Sequence, residues 1–552
     1  MDDSEPDLQK LLGCLLEEIP RAEVFKAKWS MVRNKLTRLQ TQLADISASA
    51  SDPLVLDLLA AIKGTLEDGV SLVSRCRSPD ILAGGKLRVQ SDVDSVIARL
   101  DTHAREVEVL LESGAFLDMS PSSFSSSSSA TLARGDSLRH ESRKLILRFQ
   151  IGSSDSRNSA LDSLLDLLNE DDKSATVAVA NGVMPVLVRS LDYPEVTKEK
   201  VVAAISRLAE VETGRLALLA EGLTLLNHLL RLLESGSSHA REKACVSLFV
   251  LSSSKENART IGSRGGVSSL LEICHSGTPA SQAHAAAVLQ NVAVWEEVRE
   301  NMIEESAVSV LVRLARSGTV LAQENSFGCL RNLVREDPTL RIPLVGEGVI
   351  ECLKSFWDSN PPPQSLQVAA ELVAFMAASE SISEMLISDG WLGRVADILG
   401  SEFTAVRSAG AKATYELTKH GETARKEMGH LGCVGLLVGM LGGKAAEERE
   451  TAVRALSALV ISSGNRRELK SDERAIPLLV QLLDPADGYV DKRYPVAVLL
   501  RLVKCRKCRK EMIAAGARGH VKQLEEAEVG GVKKLVAAIG QGKILGVFTR
   551  AG

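Results

Sequence analysis

Residues 182–191 read GVMPVLVRSL, and residues 474–483 return the pattern as RAIPLLVQLL. Anchored on Gly182, equivalent positions fall at Gly222, Gly266, Ser306, Gly348, Gly390, Gly432, Arg474 and Gly516. The intervals are 40, 44 and 40 residues, then 42 for every later step. A fixed period of this size marks an array in which each repeat is one supersecondary unit. Two further columns hold the same register. Seven residues before the anchors, from the second one onward, stand Arg215, Arg259, Arg299, Arg341, Arg425, Arg467 and Arg509, broken only by Ser383. Five residues after the anchors stand Leu187, Leu271, Leu311, Leu353, Val395, Leu437, Leu479 and Val521, with Asn227 as the exception.

Each unit has the same internal grammar. A short helix ends at the anchor glycine, which suits the left-handed position closing a helix. A second helix follows with apolar residues at helical spacing, as in IPLLVQLL (476–483). After a polar turn such as SGSSHA or LGGKAAEE comes a longer third helix, as in AHAAAVLQNVAV (283–294). No β-alternation is present. A unit this small cannot bury its own apolar faces, so the units must stack.

Upstream, residues 7–117 show four amphipathic helical stripes. Leu8, Leu11, Leu12, Leu15 and Leu16 form the first, and Trp29, Val32, Leu36 and Leu39 belong to the second. Asp52-Pro53 offers an N-cap with proline at the first helical position. Four such helices with short connections predict an antiparallel bundle. Residues 120–129, SPSSFSSSSS, hold eight serines in ten positions, a composition too polar to order itself. The expected organisation is therefore a bundle at 1–117, a Ser-rich linker at 118–137, a helical solenoid of about nine units at 138–548 and a tail at 549–552. The fold class is all-α.

Composition narrows the function. The chain has 552 residues, 45% hydrophobic, 25% charged and 3% aromatic, with a net charge of −5. The acidic balance and scarce aromatics argue against general nucleic-acid binding. Nine scattered cysteines are an odd number and no disulfide framework. The N-terminus MDDSEPDLQK lacks a basic region followed by an apolar one, and no run of about 18 uncharged apolar residues is evident, so neither signal peptide nor membrane span is expected. A soluble protein of the cytoplasm or nucleus is expected.

The repeats resemble the armadillo family, carried by GVMPVLVRSL (182–191), RAIPLLVQLL (474–483), AAVLQNVA (286–293) and FGCLRNLV (327–334). The resemblance covers about three quarters of the chain. The bundle is similar to the N-terminal domain of plant U-box armadillo ligases. It implies a concave groove lined by third helices that takes an extended peptide or a helix of a partner protein. In importin-α-like members a Trp-x-x-x-Asn pair repeats along that groove. The Asn column here reads Arg207, Val250, Asn291, Asn332, Ala374, Glu416, Ala458 and Arg501, and the Trp column contains Lys412 and Arg454 but no Trp. That argues against a nuclear-import carrier. Only about 20 residues separate bundle and repeats, with no U-box start, which leaves a regulator of ubiquitin ligases as the alternative to a non-enzymatic scaffold. The groove candidates are Arg207, Asn291, Asn332, Lys412, Glu416, Arg454 and Arg501. Gly182, Gly222, Gly266, Gly348, Gly390, Gly432 and Gly516 are structural anchors.

Remaining motifs carry less. Arg134-x-x-Ser137 makes Ser137 a candidate phosphosite beside the linker. Cys505-x-x-Cys508 supplies two of the four ligands a structural zinc site needs, and no second pair occurs. It is also the spacing of a redox pair. The flanking Lys504, Arg506, Lys507, Arg509 and Lys510 read as a solvated helix face, and a run of this kind also suits acidic partners, nucleic acid or anionic lipid. Histidines show no catalytic spacing, and no phosphate-binding or nucleophile motif occurs. No metal, cofactor or small-molecule substrate is expected.

Overall fold

The computed structural model describes residues 4–44, 53–77, 86–112, 130–151, 154–192 and 195–540. Among the described residues every regular element is helical and no strand occurs. Packing divides the chain into two compact units, residues 1–228 and 229–552.

The first unit opens with α1 (Ser4–Glu18), α2 (Lys26–Ala44), α3 (Pro53–Arg75) and α4 (Lys86–Glu112). Pro53 opens its helix, as the missing N–H of proline favours. The predicted apolar stripes form the core, with Leu12, Leu15, Trp29, Val32, Leu36, Ile62, Leu66 and Leu100 all buried. Ion pairs report the helix directions. Lys28–Asp94, Lys35–Asp101 and Arg38–Glu108 rise together, so α2 and α4 run parallel. Arg99–Asp68 and Arg75–Asp92 run in opposite order, so α3 and α4 are antiparallel. The buried Thr65–His103 hydrogen bond at 3.0 Å fits that crossing.

The expected linker differs from what is seen. Residues 118–129 lie outside the described ones, but α5 (Ala130–Ile151) includes residues 130–137. Its Leu147 and Ile151 enter the bundle core. Arg157, just beyond it, pairs with Glu106 of α4 at 3.3 Å. Within the first unit, the bundle and the first repeat helices therefore share a core. Ser137 sits exposed within α5. The tail at 549–552 and residues 541–548 also lie outside the described ones.

The repeats follow the predicted grammar. Asp172–Ala180, Val183–Ser190 and α6 (Glu195–Ala209) make one triplet. The third helices of the second unit are α8 (Ser238–Leu251), α9 (Pro279–Val292), α10 (Val320–Glu336), α11 (Pro363–Ala377), α12 (Thr404–Thr418), α13 (Ala446–Leu459) and α14 (Arg493–Leu502). Each packs on the next. Between α6 and α8 lies α7 (Glu212–Ser235).

Backbone geometry confirms most anchors and corrects others. Gly182, Gly348, Gly390, Gly432 and Gly516 have left-handed φ between 76° and 88°. Ser306 takes the same conformation at φ 58°, ψ 35°, despite its side chain. The third anchor is Gly265 at φ 74°, not Gly266, which begins the next helix. Gly266 is required for a different reason: a Cβ there would sit 2.8 Å from the Ile261 carbonyl oxygen and 2.9 Å from Leu230 Cδ2. Two adjacent glycines with separate duties hid the one-residue shift. Arg474 is right-handed at φ −78°, so that corner is built differently.

No run of 18 uncharged apolar residues occurs, yet one helix comes near a membrane span by length and hydropathy. α7 meets both criteria by composition. It breaks at Gly222, where φ 52° and ψ −128° are not helical. Each half is shorter than the roughly 20 residues a span requires. Its buried leucines, among them Leu218, Leu225, Leu226 and Leu229, serve the repeat core.

The arginine column closes helices. Arg215 Nε donates to the Ala209 carbonyl at 3.1 Å, where α6 ends. Arg299 reaches the Ala293 and Val294 carbonyls at 3.3 and 2.7 Å, beyond the end of α9. Arg425, 8% exposed, donates to Thr418 and Lys419 at 2.8 and 2.6 Å, at the end of α12. These guanidiniums satisfy the carbonyls a helix leaves unpaired and complement its negative end. After α13 the task falls to Arg466 instead of Arg467, through the Val460 and Ile461 carbonyls. Arg259 pairs with Glu297.

Candidate partner-binding face

Stacked third helices put residues about 42 apart side by side, so their equivalent columns meet across helices. The asparagines use this register. Asn291 Nδ2, half-buried, donates to the Phe249 carbonyl at 3.2 Å and to Ser252 Oγ at 3.0 Å, tying α9 to α8 and its cap. Asn332 Nδ2 donates to the Gln290 carbonyl at 2.9 Å, and its Oδ1 accepts from Arg331 at 3.0 and 3.3 Å. Asn332 is only 4% exposed. It is a corrected candidate: it stitches α10 to α9 and presents nothing to a partner. Asn325, outside the predicted column, makes the same stitch to the Ala283 carbonyl at 2.9 Å.

Further along, charges replace amides. Arg331 on α10 pairs with Glu371 on α11 at 2.7 Å. Glu371 also reaches Lys412 on α12 at 3.4 Å, and Lys412 pairs with Glu447 at the start of α13 at 2.8 Å. Signs alternate across four helices, so each charge has an opposite neighbour. Burial pulls the Lys412 amine down, but the Glu447 and Glu371 carboxylates outweigh it and hold the amine above the ordinary lysine value. Lys412 is thus a rung of a closed ladder and not an open cation.

Arg454 on α13 stands over Tyr415 of α12 at 4.3 Å and near Tyr494 of α14 at 5.8 Å. Those rings meet edge to face at 6.1 Å. Its guanidinium pairs with Glu416 at 3.1 Å, and Glu416 also accepts from Lys419. Cation–π stacking of this kind contributes about 0.5–2 kcal/mol, rising with desolvation. Close by, burial pushes the Glu450 carboxyl and the Tyr494 phenol up. Arg454 and Glu416 are therefore braces between helices as well as surface groups. In the first unit Arg207 is likewise engaged, with Asp172 at 2.8 Å and Glu210 at 3.2 Å. Arg501 on α14 is exposed and has no ion pair among the described residues.

The structure thus pairs Glu416 with Arg454 and places Lys412 in a separate ladder with Glu371 and Glu447, while Arg501 joins neither. Sequence reasoning missed Arg331, Glu371, Tyr415 and Tyr494. The column one residue before the Asn-equivalent position held a signal, since it carries Phe249, Gln290, Arg331 and Tyr415.

Three-helix units of about 42 residues, joined at left-handed corners and stacked through their third helices, are the armadillo-repeat fold. Two solved structures agree. An engineered protein aligns with TM-score 0.57 at 22% identity, over 73% of this chain and 98% of its own. A structure concerning a phosphorylation switch in the interaction between cadherin and beta-catenin aligns with TM-score 0.59 at 17% identity, over 81% and 96%. Computationally designed armadillo repeat proteins for modular peptide recognition align over 42% of this chain and 98% of theirs, with TM-score 0.38 at 19% identity. At the N-terminus, residues 6–115 match a family described as a domain of unknown function (DUF7032). No curated protein matches the sequence.

Proposed function

We propose that this protein is a non-enzymatic interaction scaffold that binds an extended segment of a partner protein along the third helices of its second unit. The observation that carries the reading is the unbroken run of packed third helices from α8 to α14. Such a run offers many small, regularly spaced contacts, which suits an extended chain better than a compact substrate. Phe249, 44% exposed on α8, and Arg501, exposed on α14, mark its two ends as contact points. The structure concerning the interaction between cadherin and beta-catenin shares the fold and suggests this use of it. Nine unpaired cysteines support a reducing compartment, cytoplasm or nucleus.

The test is selection of displayed peptides on the full chain, followed by hydrogen exchange with a selected peptide bound. The expected result is protection within residues 238–502 and loss of binding in Phe249→Ala or Arg501→Glu. Protection confined to residues 4–112 would overturn the reading.

A further inference from the structure

The last third helix runs directly into α15 (Arg506–Ala514) through a cysteine pair. Cys505 is the N-cap of α15, with extended backbone at φ −79°, ψ 123°. Cys508 is three residues inside the helix and 1% exposed. Cys505 makes no side-chain capping hydrogen bond, but its thiol and the Cys508 N–H and thiol share the same helix start. The N-cap and the third helical position lie on one turn, which sets the two cysteines beside each other. Cys505 remains partly exposed, above its buried partner.

The surroundings divide the two thiols by role. Lys504, Arg506, Lys507 and Lys510 are exposed around the pair. The adjacent Cys508 N–H and thiol, at the positive helix end, hold the Cys505 thiol below its ordinary range. Burial, and the neighbouring Cys505 sulfur, push the Cys508 thiol up to about 11. Of the other seven cysteines, six are buried, and burial pushes Cys245 and Cys433 up to about 12. Cys14 is exposed.

We propose that Cys505 and Cys508 form a thiol–disulfide exchange site whose co-substrate is a small anionic disulfide. The Cys505 thiolate attacks one sulfur of that disulfide, and the S–S bond breaks. One thiolate leaves and takes a proton from water, while Cys505 keeps the other half as a mixed disulfide. The Cys508 thiol gives its proton to solvent, and its sulfur attacks the Cys505 sulfur and expels the second thiolate. The protein dithiol is oxidised by two electrons to a Cys505–Cys508 disulfide, and the small disulfide is reduced to two thiols. The basic side chains draw the anionic co-substrate to Cys505. The proposal stands independently of the scaffold reading.

Oxidised glutathione is the probe, applied to the full chain in graded mixtures with its reduced form. After acid quenching and alkylation, the peptide spanning 505–508 is mapped by mass. The expected product is two hydrogens lighter and takes no alkylating reagent, while the peptide containing Cys14 stays alkylated. Cys508→Ala should accumulate one glutathione on Cys505, and Cys505→Ser, which keeps a good N-cap, should show neither product. In unmodified protein at neutral pH, maleimide should react with Cys505 about tenfold faster than with Cys14. Equal rates at Cys505 and Cys14, absence of the disulfide in the most oxidising mixture, or equal oxidation by the uncharged bis(2-hydroxyethyl) disulfide at low salt would each overturn the proposal.

Discussion

The guanidinium carbon of Arg454 lies 4.3 Å from the ring centre of Tyr415, on the neighbouring third helix. A residue that the column register presents as a groove cation is thus clamped between repeats. Its Nε is buried without a hydrogen-bond partner among the described residues; its ion pair is with Glu416, and the Glu450 and Asp491 carboxylates add opposite charge nearby.

Arg454→Glu and Arg501→Glu should therefore behave differently. The first loses the stacking and sets two carboxylates against each other, lowering stability by about 1–3 kcal/mol. The second should stay within about 0.5 kcal/mol of the parent, as exposed substitutions do. Chemical denaturation of both variants decides it. Equal stabilities would return Arg454 to the open surface.

Glu371 is the rung whose loss should matter most, because it serves Arg331 and Lys412 together. Its side chain is only 14% exposed. Glu371→Gln keeps the shape and removes the charge, at an expected cost of about 1–3 kcal/mol. A double-mutant cycle with Arg331→Met should show coupling above about 0.5 kcal/mol. Additive effects would mean the pair contributes nothing.

The corners give a backbone test free of packing. A Cβ at Gly432 would meet nothing within 4 Å, yet φ is 76° there. Gly432→Ala should cost about 1–2 kcal/mol through the left-handed conformation alone. Ser306→Gly should relieve the same strain and stabilise by up to about 1 kcal/mol, less the extra freedom of glycine in the unfolded chain. Repeat arrays need not unfold in two states, so hydrogen exchange in the flanking helices is the suitable readout.

Lys412 predicts a dependence on alkaline pH. Its folded pKa is raised, so its contribution is complete below the ordinary lysine value of 10.5 and is lost as pH rises through the folded value. The stability gap between the parent and Lys412→Met should be constant near neutrality and shrink above about pH 10.5. A gap that widens in alkali would reverse the assignment.

The repeat and its helical triplets were legible because spacing is a property of sequence. A 42-residue interval and a left-handed glycine survive large changes in side chains. The bundle stripes were legible for the same reason. Asn332 was misread because burial depends on how closely α10 packs on α9, which the column register does not specify. Lys412 was read as an open cation because its partner Glu371 lies 41 positions away on another helix. Gly265 was displaced by a neighbour that steric crowding makes equally necessary. Arg474 shows that a corner can be turned with right-handed backbone, so the column tolerates an exception that only coordinates explain.

The closed ladder from Arg331 to Glu447 decides how a visitor first senses this face. Paired charges cast little field beyond a few ångströms, so this stretch of the face pulls no partner in from afar. Arrival should proceed at the unhurried pace of random collision, nearly indifferent to salt, and selectivity should rest on how slowly the right segment departs.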